Sequence, residues 1–274
     1  MPGTLFLVGT PIGNLGDISP RALETLRTAD FIAAEDTRVT VKLLNHFEIK
    51  KPLVSYYEHN RLESGEKILR RLELGESCAL VTDAGTPAIS DPGEDIVRQC
   101  AAAGIEVIPV PGACAAICAL AVSALPTQRF CFEGFLSVTR KNRIEHLESL
   151  VNEPRTMIFY EAPHKLVATL RDMLNYFGDR QISISRELTK LHEQTQRTTI
   201  AKALEHYEQN PPRGEFVLVV AGAAPVEAPE MTLEQALEKV SALRDAGSSL
   251  KQAVKAVAEQ SGFSRNELYD AAIK

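Results

Sequence analysis

Short apolar runs alternate with amphipathic segments through the first 125 residues of the chain. The apolar runs predict buried strands at residues 4–8, 31–34, 53–57, 78–83 and 105–110. The amphipathic segments predict helices at residues 19–29, 39–47, 62–75, 93–104 and 114–125. The last of these helices is almost entirely apolar, so we expect it to be buried. Strands that alternate with helices through short connections predict a mostly parallel sheet with helices on both faces.

A second series of strands and helices follows Pro126. Its apolar runs predict strands at residues 130–135, 156–161, 181–187 and 215–222, and a Thr- and Gln-rich segment at 190–199 offers one more. Its amphipathic segments predict helices at residues 140–151, 164–178 and 199–209. We therefore expect an α/β fold with an N-terminal domain at 1–125, a C-terminal domain with a mixed sheet at 126–224, and a ligand cleft between them.

A small helical tail is expected at residues 232–274, after a Pro- and Ala-rich linker at 223–231. Thr232 with Gln235, and Ser264 with Glu267, have the spacing of capping boxes at helix starts. Three short helices could form a helix-turn-helix that binds nucleic acid. However, the tail has six basic and six acidic residues, so a packing or substrate-handling role is as plausible.

Composition narrows the possible partners. The chain of 274 residues has a formal net charge of −6, so RNA binding would need a local basic patch. No apolar run approaches the ~18 residues of a membrane span, and the N-terminus has no basic region typical of a signal peptide. The five cysteines form no CxxC pair and the six histidines are scattered. We therefore expect a cytoplasmic protein with reduced thiols and no structural metal.

Irregular polar loops follow the predicted strands at their carboxyl ends, where open parallel sheets bind ligands. These loops occupy residues 9–17, 35–38, 80–93, 111–116, 160–165 and 186–193. The first loop matches neither a dinucleotide fingerprint nor a P-loop, because Asn14 stands where the P-loop has lysine. Prolines also remove backbone donors that a phosphate would use. The loops suit a neutral or zwitterionic ligand, with hydroxyl groups available from Thr10, Thr82, Thr86 and Ser90.

Seven short segments, in this order, resemble the tetrapyrrole-methylase-like, or class III, S-adenosylmethionine methyltransferases. They read GTPIGNLGDIS, AAEDTR, DAGTPAISDPG, PGACAAI, FEGFL, YEAPHK and RELTKLHE. The pattern covers about residues 3–222, and the tail is similar to the small C-terminal helical domain of one branch. That branch acts on the RNA of the small ribosomal subunit.

The resemblance implies S-adenosylmethionine in the interdomain cleft, a homodimer, and no membrane association. It further implies 2′-O-methylation of the cytidine conventionally numbered 1402 in 16S rRNA. A methyltransferase for a corrin or sirohaem precursor would share the fold and cofactor. A non-catalytic nucleic-acid-binding regulator is the alternative from another class, and cofactor binding would exclude it.

The resemblance also assigns residues to the cofactor. These are Pro11, Ile12, Asp83, Ala84, Gly85, Thr86, Ile89, Cys114, Ala115, Tyr160, Glu161 and Leu188. Thr86 replaces an acidic residue of the family in the loop at residues 80–93, and Asp83 and Asp91 are nearby substitutes.

A ribose hydroxyl is a poor nucleophile, so we expect a base beside it. Our hypothesis is a polar floor that is made of Glu35, Asp36, Arg38, Glu187 and Lys190, with His59 as a further candidate base. The alternative for Glu35 and Glu187 is a salt bridge with Arg38 or Arg186 at the domain joint.

Three basic residues could bind RNA phosphates, namely Arg140, Lys141 and Arg143. They could equally form the solvent-exposed start of a helix.

Overall fold

The computed structural model describes residues 1–224 and 231–273. The chain divides into two compact units, at residues 1–223 and 224–274. Most of the predicted linker at 223–231 lies outside the described residues. The predicted boundary at 125 stays a prediction.

The first sheet is parallel, as the sequence predicts. Its strands are β1 (Thr4–Val8), β2 (Phe31–Ala34), β3 (Leu53–Ser55), β4 (Cys78–Val81) and β5 (Glu106–Val110). They lie in the order β3-β2-β4-β1-β5. The helices of this half are α1 (Pro20–Thr28), α2 (Thr37–His46), α3 (Arg61–Glu73), α4 (Glu94–Ala102) and α5 (Ala115–Val122). Separate apolar clusters, one centred on Leu5 and Leu80 and one on Val8 and Ala79, cover the two faces of the sheet.

The second sheet is mixed. It consists of β6 (Phe130–Phe135), β7 (Thr156–Glu161), β8 (Gln181–Arg186), β9 (Gln194–Thr199) and β10 (Phe216–Val220), in the order β6-β7-β10-β8-β9. Only the β6–β7 pair is parallel. The Thr- and Gln-rich segment is therefore a strand, β9. Helices α6 (Arg140–Ser149), α7 (Pro163–Phe177) and α8 (Ile200–Gln209) complete this half, and an apolar core joins them to the sheet.

Helix α5 differs from the prediction of a buried helix. Its inner residues Ala116, Ala119 and Leu120 pack on the second sheet against Ile158 and Val219. Its outer face is exposed at Ile117, Cys118, Ala121 and Val122. An all-apolar sequence has no polar stripe to show which face meets solvent, so periodicity cannot reveal this exposure.

The tail has three helices and its own core. The helices are α9 (Leu233–Asp245), α10 (Leu250–Ser261) and α11 (Arg265–Ile273). Val240, Val254 and Leu268 are buried together. Both predicted capping boxes form, since the backbone and side chains of Thr232 and Gln235, and of Ser264 and Glu267, exchange hydrogen bonds. No helix within the described residues is both long and apolar enough to span a membrane.

Candidate active site

The loops that follow β1, β4 and β5 are joined to each other by hydrogen bonds. The backbone N–H of Thr10 donates to the Gly85 carbonyl at 2.8 Å, and the Gly85 N–H donates back at 3.2 Å. The hydroxyl of Thr86 donates to the carbonyl of Ala113 at 3.4 Å. Gly9 and Gly112 meet so closely that a Cβ on Gly112 would lie 2.7 Å from the Gly9 Cα. The three loops thus form one fixed surface at the carboxyl edge of the sheet.

A cavity of about 550 Å³ opens over this surface, which is within the usual size range for small-molecule sites. Both α/β halves of the chain contribute to its walls. It is lined by Ile12, Glu35, Thr82, Asp83, Ala84, Gly85, Thr86, Ile89, Ser90, Asp91, Cys114, Ala115, Phe135, Tyr160, Glu161, Ala162, Pro163, Glu187, Leu188, Lys190, Glu215, Phe216 and Val217. Every residue that the resemblance assigns to the cofactor lines this cavity except Pro11.

Hydrogen bonds within the protein hold two of these residues in place. The hydroxyl of Tyr160 accepts a hydrogen bond from the Ala116 N–H at the start of α5, at 3.2 Å, and burial raises the pKa of Tyr160 to about 12. Glu161 is buried and accepts hydrogen bonds from the Ala162 N–H and the Thr169 hydroxyl, at 2.8 and 2.6 Å. Glu161 therefore fixes the start of α7 and forms part of the cavity wall.

Lys190, Glu187 and Glu215 form a polar cluster at one side of the cavity. Lys190 Nζ lies 3.2 Å from Glu187 Oε1 and 3.1 Å from Glu215 Oε2. Burial opposes protonation of Lys190, but the two carboxylates outweigh it and raise the pKa of Lys190. Burial likewise opposes ionisation of Glu187, yet the Glu215 N–H and the Lys190 ammonium lower its pKa. The ammonium group therefore stays charged at neutral pH.

Two glycines make room for this cluster. A Cβ on Gly13 would lie 2.5 Å from the Lys190 Cγ, and a Cβ on Gly214 would lie 2.4 Å from Glu187 Oε1. Glu187 has a positive φ of 53°, which costs a non-glycine residue roughly 1–3 kcal/mol of backbone strain. Such strain is typical of functional sites.

A second group, of carboxyl side chains, lies where β2 and β4 end. The Thr82 hydroxyl donates to Glu35 Oε2 at 2.5 Å, and Asp83 Oδ1 accepts the Asp36 N–H at 3.1 Å. Burial raises the pKa of Asp83 above its ordinary value. Burial, with a further contribution from the charge of Glu35, raises the pKa of Asp91 to about 6.

Asp36 and Arg38 do not line the cavity, and their part in the predicted floor stays a prediction. Asp36 caps α2, since its Oδ1 accepts the Arg38 N–H at 2.8 Å. Its other oxygen pairs with the Arg38 guanidinium at 2.6 Å. These bonds lower the pKa of Asp36 to about 2. A capping aspartate and a prospective base look alike in the sequence because both follow a strand.

The three basic residues that were predicted to bind RNA lie in two different environments. Arg140 and Lys141 are exposed at the start of α6. Arg143 Nε donates instead to Asp172 Oδ2 at 2.8 Å, and both side chains are largely buried between α6 and α7. The Arg143 guanidinium thus joins two helices, and the predicted RNA contact of this residue stays a prediction.

A second cavity of about 480 Å³ adjoins the first. Its charged lining residues are Glu35, Glu58, Arg61, Asp91, Glu94 and Asp95. Arg61 forms ion pairs with Glu58 and Asp95, so the cavity keeps an excess of negative charge. The sequence gives no direct sign of this cavity, since its walls come from three separate loops.

Sequence reasoning also missed several residues of the first cavity. They are Phe135, Ala162, Pro163, Glu215, Phe216 and Val217. The quoted segments FEGFL and YEAPHK contain the first three, so they could have been found from the resemblance. Glu215 stands at the start of an apolar strand, and nothing in its local pattern distinguishes it from a solvated strand end.

Two family models match the chain. The model of Tetrapyrrole (Corrin/Porphyrin) Methylases matches residues 4–204, and that of the RsmI C-terminal HTH domain matches residues 232–274. Among curated proteins, the Ribosomal RNA small subunit methyltransferase I of a Synechocystis species is 50% identical over 273 residues, covering 99% of this chain and 98% of its own. The protein of the same name from Bacillus subtilis is 46% identical, covering 98% of this chain and 94% of its own.

Solved structures share the fold at low identity. A cobalt precorrin-4 methyltransferase superposes with a TM-score of 0.60 at 18% identity, over 80% of this chain and 94% of its own. A uroporphyrin-III C-methyltransferase from Thermus thermophilus, complexed with S-adenyl homocysteine, superposes with a TM-score of 0.57 at 19% identity, over 80% of this chain and 97% of its own. Together with the family models and the full-length relatives, these matches mean that the chain belongs to the tetrapyrrole methylase family, in the ribosomal RNA small subunit methyltransferase I group.

Proposed function

We propose that this protein transfers a methyl group from S-adenosylmethionine to the 2′-hydroxyl of a cytidine in 16S rRNA, at the position conventionally numbered 1402. The observation that carries the proposal is the close similarity, along almost the whole chain, to relatives named for methylation of small-subunit ribosomal RNA. That similarity extends through the tail, which matches the C-terminal domain of the same group.

The first cavity fits the proposed cofactor. Ile12, Ile89 and Leu188 offer apolar contacts for a flat ring, and Ile89 is 48% exposed although it lines a cavity. Cys114 provides no side-chain cap for α5, so the first backbone N–H groups of this helix are available to a zwitterion's carboxylate, apart from that of Ala116, which donates to Tyr160. The carboxylates Asp83 and Asp91 favour positive charge nearby. When bound, the cofactor supplies an electrophilic methyl group on a sulfonium.

The polar residues then position the RNA and handle its proton. Lys190 cannot serve as the base at neutral pH, because Glu187 and Glu215 keep it protonated. Its charge suits the phosphate next to the reacting ribose. Glu35 orders the Thr82 hydroxyl and hence the end of β4. The Arg38 side chain is 87% exposed, and with Arg140 and Lys141 it offers outer contacts for the RNA backbone.

The tetrapyrrole alternative, methylation of a corrin or sirohaem precursor, has support from the fold alone. Structural neighbours that act on such precursors share only the fold with this chain, because their identity is below 20%.

A homodimer is part of the proposal. The outer face of α5 presents Ile117 and Val122 to solvent, at 49% and 41% exposure, and Phe130 at the start of β6 is also exposed. An apolar patch of this kind is typical of a subunit interface. Ile117→Glu should give a monomer in sedimentation experiments, whereas an unchanged dimer would place the interface elsewhere.

Transfer of a radiolabelled methyl group tests the function. Small subunits that lack the modification, naked 16S rRNA and a sirohaem precursor are incubated in parallel with labelled cofactor. We expect label in the RNA of the subunit. Label in the tetrapyrrole alone would contradict the proposed substrate and leave the methyltransferase assignment intact.

A further inference from the structure

Phe135 lines the first cavity, although neither the sequence pattern nor the resemblance assigns it a role. Its side chain is 55% exposed, so much of the ring is open to solvent at the cavity wall. It ends β6 and comes directly before the loop that leads to α6. A large apolar side chain that stays exposed at a binding cavity is typical of a contact with a ligand or a partner.

A β-bulge in β6 turns this ring toward the cavity. The ladder with β7 shifts by one residue between Phe132 and Gly134, so Glu133 is the extra residue. Gly134 has a φ of 63°, a left-handed conformation that favours glycine. Beyond the bulge the alternation of side chains is reversed, so Phe135 shares a face of the sheet with Phe132. Bulges that redirect a side chain are over-represented beside active sites.

Contacts of the ring agree with this orientation. The Tyr160 ring centroid lies 5.0 Å from that of Phe132 and 5.4 Å from that of Phe135. Lys165 Nζ lies 6.0 Å from the centre of the Phe135 ring and 3.5 Å from the buried carboxylate of Glu161. Residues of β7 and α7 thus hold the ring, and the rest of its surface remains open.

An exposed segment with apolar and basic side chains continues from the ring. Val138 is 76% exposed, and Arg140 and Lys141 follow at the start of α6, where both are exposed. Lys141 Nζ lies 3.8 Å from a Glu145 oxygen, which is too far for a hydrogen bond. Arg140 lies within roughly 18 Å of Phe135, because an extended chain rises at most about 3.6 Å per residue. The ring and the two cations are therefore within reach of one short stretch of RNA.

The loop between the ring and the cations is fixed from below. Leu136 is buried in the core of the second sheet. The Arg143 guanidinium donates to the Ser137 carbonyl at 3.3 Å, and the Thr139 N–H donates to the Ser137 hydroxyl at 3.2 Å. A loop that is already ordered loses little entropy when it binds a partner.

We propose that the RNA strand held by Arg140 and Lys141 stacks one of its unpaired bases on the Phe135 ring. This inference rests on the proposed function. Proteins that bind single-stranded RNA combine cations, which contact the phosphates, with aromatic rings, on which bases stack. Stacking involves no phosphate charge, so it adds affinity without adding to the salt dependence of binding.

Phe135→Leu keeps an apolar side chain and removes the flat ring. We expect binding to small subunits, measured by filter retention, to weaken about 10-fold at every salt concentration, since one stacked base contributes an effect of this size. The slope of log affinity against log salt should equal that of wild type, unlike the slope after neutralisation of Arg140 and Lys141. A reduced slope would mean that the substitution disturbs the phosphate contacts, and it would overturn the stacking contact.

Two variants serve as controls for Phe135→Leu. Phe135→Tyr keeps an aromatic ring and should bind small subunits within about threefold of wild type. Leu74→Ala shortens an exposed apolar side chain at the end of α3 and should bind like wild type. In Phe135→Leu the cofactor affinity, measured by calorimetry without RNA, should change less than about threefold.

Photo-crosslinking tests the contact directly. Benzoylphenylalanine in place of Phe135 should cross-link to the RNA of the small subunit, at one or two neighbouring nucleotides close to the methylated position, because the ring lines the cavity that fits the methyl donor. The same group in place of Leu74 should give no such cross-link. Cross-links from position 135 to no RNA, or only to nucleotides remote from the methylated position, would overturn the proposal.

The outcomes distinguish this inference from the proposed function. Wild-type protein that methylates no ribosomal RNA would contradict the function itself. Wild-type activity together with undiminished RNA binding by Phe135→Leu would overturn only the stacking contact. Loss of cofactor affinity in this variant, or a changed oligomeric state in sedimentation, would assign the ring to the cofactor or to a subunit interface and would also overturn it. If Phe135→Leu does not fold, the cross-link decides the question.

Discussion

At the scale of single residues, the neighbours of Lys190 determine its charge. The sequence presents it as a possible base in a loop after a strand. The structure places its ammonium between Glu187 and Glu215, which raises its pKa and makes it a permanent cation. Glu215 is 25 residues away in the chain, so no local pattern predicts this pairing.

Lys190→Met should lower turnover by about 100-fold and change cofactor affinity little. The substitution removes the cation and leaves two uncompensated carboxylates at the proposed site of the reacting ribose. Turnover and cofactor binding are measured separately, by methyl transfer and by calorimetry. Lys67→Met, which removes an exposed ammonium paired with Glu63, is the control. Turnover equal to that of the control would contradict a role of Lys190 in the active site.

Gly13→Ala should lower activity roughly 10- to 100-fold without unfolding the protein. The added Cβ would displace the flexible stem of Lys190, and small displacements of positioning groups have effects of this size. The control is Gly65→Ala in α3, where the nearest atom is at 3.6 Å. If both variants keep wild-type activity, the position of Lys190 is unimportant.

At the scale of elements, helix ends and helix contacts determine which charged residues are free. Asp36 is used by the cap of α2, and Arg143 is used by the contact between α6 and α7. Arg140 and Lys141 precede that contact and remain exposed. Of these three basic residues within four positions, one therefore joins two helices and two remain exposed.

Arg143→Ala should lower the free energy of unfolding by about 2–4 kcal/mol, since it leaves the Asp172 carboxylate largely buried without its partner. Urea denaturation measures the loss. Arg140→Ala should stay within about 0.5 kcal/mol of wild type. Equal stability of the two variants would show that the α6–α7 pair contributes nothing.

The double variant Arg140→Ala with Lys141→Ala should weaken RNA binding and reduce its salt dependence. Two lost phosphate contacts lower the slope of log affinity against log salt by about 1.4 for single-stranded RNA. Binding is measured by filter retention from low to moderate salt. A slope equal to that of wild type would contradict the proposed contact.

Gly112→Ala should destabilise the first sheet and its loops by about 1–3 kcal/mol. Its Cβ would meet the backbone of Gly9, which cannot rotate away as a side chain can. Thermal unfolding and cofactor affinity should both decline. A fully stable variant with normal cofactor affinity would mean that the loops containing Gly9 and Gly112 can move apart without loss of stability.

At the scale of the whole molecule, the sequence predicts the architecture better than the site. Apolar runs and caps place the ten strands and the first eight α-helices of the described residues close to their observed bounds, and they predict three helices in the tail without bounds. The order of the strands does not follow from periodicity, because it depends on crossovers between distant segments. The exposed face of α5, the pair of Arg143 with Asp172 and the second cavity likewise depend on tertiary contacts.

The tail should contribute little to electrostatic binding, because its six basic and six acidic residues cancel. A protein that ends at residue 223 retains the compact unit with the first cavity. We expect it to bind the cofactor with wild-type affinity and to show an unchanged salt slope for RNA. A slope reduced by more than about one would make the tail a direct RNA-binding element.

Methyl transfer to one ribose is the central claim, and its most direct measurement is mass spectrometry of nuclease fragments from treated small subunits. The subunits lack the modification beforehand, and the cofactor carries a deuterated methyl group. We predict the heavy methyl on the 2′-oxygen of the single cytidine numbered 1402. A heavy methyl on a base, on another nucleotide, or on no RNA fragment at all would contradict this account.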